Sequence, residues 1–159
     1  MKIYLAACYS RRVELLGYRA ELEAMGYVVT SRWLNGSHQI SSSGVPIGDS
    51  GEALIEGDDG GQSEEAKRLR QSFAQEDVAD LDEATVIIAF TEPPRSTASR
   101  GGRHVEFGVA LGWSMSDGDY RLIVVGYREN LFHWLPAVEF YATWEEAKAA
   151  LSKSRWRAW

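Results

Sequence analysis

Residues 84–90 read Ala84-Thr85-Val86-Ile87-Ile88-Ala89-Phe90, the strongest strand signal in the chain. After a polar loop, the chain continues as Gly101-Gly102-Arg103-His104-Val105-Glu106-Phe107-Gly108, which opens a segment with helical spacing. Glycines at a helix start let a ligand approach the backbone, and the N–H groups there favour anions. In an open α/β sheet, ligands bind outside the carboxyl ends of the strands. This block therefore predicts a ligand site that contains Glu106.

The same alternation of strand and helix extends through the rest of the chain. We predict strands at 2–7, 27–30, 84–90, 121–126 and 138–141. The helices between them include one that Ser10 can cap and Gly26 ends, one over 103–115, and one that starts at the capping box Thr143-x-x-Glu146. Alternation of this kind predicts an α/β fold with a doubly wound, five-stranded parallel sheet and helices on both faces.

The length of 159 residues fits one domain, with one interruption. Residues 35–62 contain seven glycines, five serines and one proline, a composition that cannot build a core. We expect a Gly/Ser-rich surface insertion there, which is either a lid over the site or a disordered decoration.

Composition excludes several classes of function. A net charge of −6 without a basic stripe argues against a nucleic-acid partner. The apolar runs are too short for a membrane span, and the run at 2–7 is too short for a signal peptide. The single cysteine, Cys8, excludes an internal disulfide, so we expect a cytoplasmic protein.

Asp77 is a second candidate site residue. Helical spacing puts Asp77 between Phe73 and Leu81 on the inward face of a helix, where a lone carboxylate needs a partner or a ligand. Alternatively the helix ends earlier, and Asp77, Asp80 and Asp82 belong to a solvated turn. The position of Glu106 also has a simpler explanation. An acidic side chain near a helix N-terminus interacts favourably with the helix dipole and stabilises the helix by about 0.3–1 kcal/mol.

Other motifs are absent or weak. Neither G-x-G-x-x-G nor a Walker A sequence follows the first strand, and the three histidines lack metal-ligand spacing, so no cofactor or metal is predicted. Tyr9 and Trp33 could stack on a base, although an aromatic residue at such a position is more often part of a core.

Four segments together resemble the nucleoside 2-deoxyribosyltransferase-like family, which includes nucleotide N-glycosidases. They are Lys2-Ile3-Tyr4-Leu5-Ala6 with Tyr9-Ser10, residues 77–89, the Gly101–Gly108 block with Ala110-Leu111, and Gly126-Tyr127-Arg128-Glu129-Asn130-Leu131-Phe132. The resemblance implies a flavodoxin-like sheet and a homo-oligomer with shared sites. It also implies a nucleoside or nucleotide substrate, with a free base as a second substrate if the reaction is transfer.

The resemblance also assigns roles to residues. Glu106 attacks the anomeric carbon of the deoxyribose, and Asp77 or Asp82 protonates or orients the leaving base. Tyr9 and Ser10 in the first loop, with Gly101, Gly102 and His104 at the start of the helix, would contact the substrate. Asn130 would contact the sugar in the site of a neighbouring subunit.

The chain departs from the family pattern at two places. Ala7-Cys8 replaces a frequent Gly-Pro, and Ser99-Arg100 stands where an aspartate is frequent. Arg100 and Arg103 could bind a 5′-phosphate, or both could be solvated. The missing aspartate leaves an alternative function open: a non-catalytic binder of a nucleotide or a nucleotide-derived signal.

Overall fold

The computed structural model of the chain describes residues 1–36, 64–93, 101–117 and 120–153. The strands within these ranges are β1 Lys2–Ala6, β2 Val28–Val29, β3 Val86–Phe90, β4 Arg121–Val125 and β5 Val138–Tyr141. The helices are α1 Arg12–Ala24, α2 Glu64–Glu83, α3 Gly102–Asp117 and α4 Trp144–Lys153. Short 3₁₀ turns occupy Tyr9–Arg11, Arg32–Asn35 and Leu131–Trp134.

The five strands form one parallel sheet in the order β2-β1-β3-β4-β5. This order is that of flavodoxin-like folds, so the predicted fold is confirmed. The strand order reverses between β1 and β3. The crevice at the carboxyl ends of those two strands is where such folds bind ligands.

Helices cover both faces of the sheet. Phe90 of β3 packs against Tyr18 of α1 and Trp144 of α4 on one face. Tyr4 of β1 pairs in register with Ile87 of β3, so the two side chains point to the same face of the sheet. The Tyr4 side chain contacts Glu106 of α3 on that face. Because successive strand side chains alternate, positions 87 and 90 point to opposite faces. The α2 and α3 helices therefore lie on the face opposite α1 and α4.

The local expectations for the helix ends are confirmed in part. The capping box of α4 forms, since Glu146 accepts from the Thr143 N–H and Thr143 accepts from the Glu146 N–H. The prediction that Ser10 caps α1 is wrong. Arg11 is the N-cap residue of α1, and the Ser10 hydroxyl donates instead to Cys8 Sγ at 3.2 Å.

The β2 strand is shorter than predicted, with two residues in the sheet. After it, the Ser31 hydroxyl takes the place of a backbone partner, since the Leu5 N–H of β1 donates to Ser31 Oγ at 2.7 Å. Most of the Gly/Ser-rich segment at 35–62 lies outside the described residues. Within the described ranges, no helix has both the length and the apolar character needed to cross a membrane.

Candidate functional site

The central contact of the site joins β1 to α3. The Tyr4 hydroxyl donates a hydrogen bond of 2.9 Å to Glu106 Oε1, and the Tyr4 side chain is fully buried. Burial raises the pKa of Tyr4, and the nearby carboxylates of Glu106, Asp77 and Asp80 raise it further. The phenol therefore keeps its proton and remains a donor to the carboxylate.

The structure brings Asp77 into the same group. Asp77 is half-buried on α2, a helix that packs against both β1 and α3, and its charge contributes to the raised pKa of Tyr4. The alternative prediction, in which the helix ends before Asp77, is wrong because α2 continues to Glu83. Glu106 and Asp77 thus come from adjacent helices to one buried tyrosine.

Asp80, one turn further along α2, has a structural partner. Its carboxylate accepts from the backbone N–H of Arg32 at 2.7 Å and from Arg32 Nε at 2.6 Å. Asp80 is buried, and these bonds hold the 3₁₀ segment after β2 against α2. This pairing engages both carboxylate oxygens of Asp80, so Asp80 has a structural role.

A sharp bend starts the helix that carries Glu106. Gly101 has a φ of 84°, a left-handed conformation that favours glycine. Its carbonyl accepts from the N–H groups of His104 and Val105 at 2.9 and 3.2 Å, so the first turn of α3 closes on this residue. Gly102 is the first residue of the helix and is exposed.

Arg103 is buried and forms an ion pair with Glu129. Its side chain is 2% exposed, and it donates to both carboxylate oxygens of Glu129, at 3.2 and 2.5 Å. Glu129 also accepts from the backbone N–H of Glu92 at 3.1 Å. Arg103 therefore fastens the start of α3 to the connection between β4 and β5. The solvated alternative for this residue is wrong, and its role in binding a phosphate stays a prediction.

Two polar side chains of the connection between β4 and β5 meet one from α3. Asn130 Nδ2 lies 3.1 Å from His133 Nε2 and 3.5 Å from His104 Nδ1. His133 is buried and His104 is half-buried, and burial is the main cause that lowers the pKa of each ring. The predicted site residues Asn130 and His104 are thus brought together at the start of α3.

The candidates in the first loop have separate positions. Trp33 is buried, and its Nε1 donates to the Leu5 carbonyl at 2.9 Å, so it is a core residue and not a platform for a base. Tyr9 is half-buried and packs against Trp33 with ring centroids 5.9 Å apart. Ser10 is exposed.

One candidate is not part of the group, and another lies outside the described residues. Asp82 is exposed in the last turn of α2, which leads to the amino end of β3 and so to the edge of the sheet opposite the start of α3. Arg100 lies outside the described residues. Its predicted role in binding a phosphate stays a prediction.

Sequence reasoning missed the importance of Tyr4, Glu129 and His133. A tyrosine inside an otherwise aliphatic buried strand was the available signal for Tyr4, because a buried phenol needs a hydrogen-bond partner. Among the residues that the structure describes, no cluster of three His, Cys, Asp or Glu side chains could hold a metal ion.

No protein-family model matches the chain, and no curated protein matches it significantly. Among solved structures, the chain is similar to a CMP N-glycosidase of Clostridium botulinum at 18% identity, with a TM-score of 0.49. The alignment covers 96% of this chain and 98% of that chain. A similarity of this size does not indicate an activity. The fold is assigned from the order and direction of the strands.

Proposed function

We propose that this protein cleaves or exchanges the N-glycosidic bond of a 2′-deoxynucleoside or its 5′-monophosphate, with Glu106 as the nucleophile. The observation that carries the proposal is the hydrogen bond from the buried Tyr4 hydroxyl to Glu106 Oε1. A strand residue with no exposed surface fixes a helix carboxylate at the switch point of the sheet. Positioning of this kind is what a nucleophile requires and a decorative helix-start carboxylate does not.

The reaction follows from the roles of two carboxylates. The Glu106 carboxylate attacks the anomeric carbon of the sugar, the bond from that carbon to the base nitrogen breaks, and a glycosyl ester forms. Asp77 donates a proton to the leaving base or orients it. Water then releases the free sugar, or a second base attacks and gives an exchanged nucleoside.

The charge around the site bears on the substrate. Arg103 is paired with Glu129, so a 5′-phosphate would have to compete with that carboxylate for the guanidinium. The first turn of α3 still offers backbone N–H groups at Gly102 and Arg103, and an anion at a helix start is stabilised there. Nucleosides and their monophosphates therefore both belong in the substrate panel.

The test is turnover by Glu106→Gln. The purified protein is incubated with a panel of deoxynucleosides, ribonucleosides, their monophosphates and free bases, and the products are separated. We expect free sugar or an exchanged base with the wild-type protein. The variant should lose roughly three orders of magnitude of turnover or more, because the residue that forms the covalent bond is gone.

Glu145→Gln is the matched control, because it removes an exposed acidic side chain from the first turn of α4 on the other face of the sheet. Equal turnover by wild-type protein and Glu106→Gln would contradict the proposal. Absence of turnover across the whole panel, together with specific binding of one nucleotide, would favour the alternative function of a binder.

We also propose that the protein is a homo-oligomer. Val105 on α3 is 67% exposed, and Leu131, Phe132 and Trp134 in the β4–β5 connection are exposed as well. The His104–Asn130 contact joins these two elements, so the apolar side chains belong to neighbouring surfaces. Several large apolar side chains exposed beside a polar site are typical of a subunit interface.

A further inference from the structure

One carboxylate in the connection between β4 and β5 contacts groups from two other parts of the fold. Glu129 Oε1 accepts from the backbone N–H of Glu92 at 3.1 Å and from Arg103 Nη2 at 2.5 Å, and Oε2 accepts from Arg103 Nε at 3.2 Å. The Glu129 side chain is 14% exposed and that of Arg103 is 2% exposed. Because a bidentate contact between charged groups is both strong and directional, Glu129 holds the guanidinium in one orientation.

The two groups that Glu129 holds belong to the two ends of one connection. Glu92 is the second residue after β3, and Arg103 is the second residue of α3. Residues 94–100 between them lie outside the described residues. The described ends of the β3–α3 connection thus share one anchor, and this anchor comes from a third part of the fold.

Glu129 is itself held in place. Its backbone N–H donates to His133 Nδ1 at 3.3 Å. The His133 ring is buried and meets the edge of the Phe107 ring from α3, with ring centroids 5.1 Å apart. The anchor is therefore part of a packed contact between this connection and α3.

The anchored turn carries the candidate nucleophile. Arg103 and Glu106 are three positions apart on α3, and residues at this spacing are neighbours on the surface of a helix. The start of α3 is thus held at two points, since Glu129 bonds Arg103 and the buried Tyr4 hydroxyl bonds Glu106 at 2.9 Å. Two separate contacts fix the orientation of a helical turn, whereas one contact would let it pivot.

We propose that Glu129 is a positioning residue for Glu106, an inference that rests on the proposed function. By holding the exit of β3 and the first turn of α3 with one carboxylate, Glu129 sets the direction from which Glu106 meets the anomeric carbon. Misplacement of a reacting group by 1 Å can lower a rate about a hundred-fold. The contact with Glu129 therefore acts on the chemical step through the backbone of α3.

The same pairing also keeps a cation away from the nucleophile. Without Glu129, the Arg103 guanidinium would be a buried and unpaired charge. An arginine can form an ion pair with a carboxylate three positions along a helix, so Arg103 could then bind Glu106. A glutamate held in such a pair is less able to attack a carbon atom.

The first test does not depend on activity. Hydrogen exchange is measured in the first two turns of α3 for wild-type protein and for Glu129→Gln, which keeps the shape of the side chain and one acceptor oxygen. We expect exchange there to become about ten-fold faster or more, because a hydrogen bond between charged groups is lost. Exchange in β1 and β4 should not change. Unchanged exchange in α3 would overturn the inference even if no substrate is ever found.

The second test separates positioning from stability. Glu129→Leu leaves Arg103 without its partner, so it should lower the melting temperature as well as kcat. Combining it with Arg103→Met removes both charges and should restore much of the melting temperature. We expect kcat of this double variant to stay about a hundred-fold below that of the wild type, with a smaller change in KM. Recovery of kcat together with the melting temperature would overturn positioning in favour of a purely structural role.

A second bidentate ion pair provides the matched control. Arg121 of β4 donates to both carboxylate oxygens of Glu139 in β5, at 2.5 and 2.7 Å. Glu139→Leu, alone and combined with Arg121→Met, should change the melting temperature in the same direction and leave kcat at the wild-type level. An equal fall of kcat in this control would overturn the role assigned to Glu129, because loss of any such ion pair would then explain the result.

Failure of this inference can be told from failure of the proposed function. Loss of turnover in Glu106→Gln, together with full kcat in the double variant of Arg103 and Glu129, would keep the proposed function and overturn the positioning role. Absence of turnover in the wild-type protein would overturn the proposed function. Hydrogen exchange in α3 would still decide whether Glu129 holds the start of that helix.

Discussion

Tyr4 occupies an unusual position for a polar group. Its ring lies among the aliphatic side chains of β1, and its hydroxyl has an acidic partner on another element. Leaving a buried hydroxyl without a partner costs about 1–3 kcal/mol. The bond to Glu106 therefore serves two purposes at once: it satisfies the phenol and it restricts the carboxylate.

Replacing Tyr4 by phenylalanine tests this second purpose. Tyr4→Phe retains the ring and removes one hydrogen bond to a charged group, a bond that contributes about 1.5–3 kcal/mol. If that free energy acts in the transition state, kcat/KM should fall roughly 10- to 150-fold with little change in the melting temperature. Steady-state kinetics beside thermal unfolding measure both quantities.

Tyr27→Phe provides the matched control. The Tyr27 hydroxyl donates to the Leu151 carbonyl at 3.1 Å, on the face of the sheet away from Glu106. This variant should keep kcat/KM while it loses a comparable hydroxyl. An unchanged kcat/KM in Tyr4→Phe would mean that the tyrosine does not position the nucleophile.

The sequence predicts Glu106 and Asp77 as candidates, but it does not predict what holds them. Helical spacing gives the face on which Asp77 lies, because that periodicity is local. The partner of Glu106 is 102 residues away in the chain, and that of Arg103 is 26 residues away. Such pairings depend on the packing of separate elements, so a single sequence leaves Arg103 open between a ligand and solvent.

The start of α3 depends on one glycine conformation. Gly101 has a positive φ, and among the described residues no atom other than those of Gly101 and its chain neighbours lies within 4 Å of the place where a side chain would begin. Substitution there is therefore opposed by backbone strain and not by a collision. The strain of a left-handed residue is about 1–2 kcal/mol for an ordinary side chain.

Gly101→Ala should lower the free energy of unfolding by about that amount. It should also lower kcat/KM, because the turn that it distorts precedes Glu106 by five positions. Urea unfolding followed by circular dichroism measures the first effect, and steady-state kinetics measure the second.

Gly17→Ala is the control within a helix. Gly17 lies inside α1 without a positive φ and with open space around it, so alanine should stabilise the protein by about 0.5–1 kcal/mol. Destabilisation by both alanines alike would contradict the interpretation that backbone conformation decides the result.

Strands and helices can be predicted from this sequence more readily than the residues that cap the helices. The runs at 2–7 and 84–90 are almost entirely apolar, as expected of strands buried on both faces, and strands form within both runs, at Lys2–Ala6 and Val86–Phe90. Ser10 precedes a helix and still does not cap it, because a 3₁₀ turn at Tyr9–Arg11 comes first. A cap depends on the backbone angles of one residue, which the pattern of apolar positions does not report.

The apolar surface beside the site makes a prediction for the whole molecule. Val105 faces outward on α3, and the exposed glycines Gly108 and Gly112 follow at helical spacing. Helices with small residues on one face can approach each other closely. We therefore expect Val105→Asp to shift the protein toward the monomer, because it places a charge in an apolar interface.

Light scattering after size-exclusion chromatography measures the mass of each species. Val13→Asp is the control, since Val13 is 74% exposed on α1, on the opposite face of the sheet. A wild-type protein that is monomeric at micromolar concentration would contradict the expected assembly. If the Val105→Asp variant has the same mass as the wild type, the interface does not include Val105.

The Tyr4–Glu106 bond ties the first strand of the chain to its third helix. During synthesis, β1 leaves the ribosome long before α3, so this bond cannot form until the chain has been made through Glu106. No local fragment can form this pair. Turnover should therefore disappear during denaturation together with the circular dichroism signal, and an assay for product would double as a reporter of complete folding.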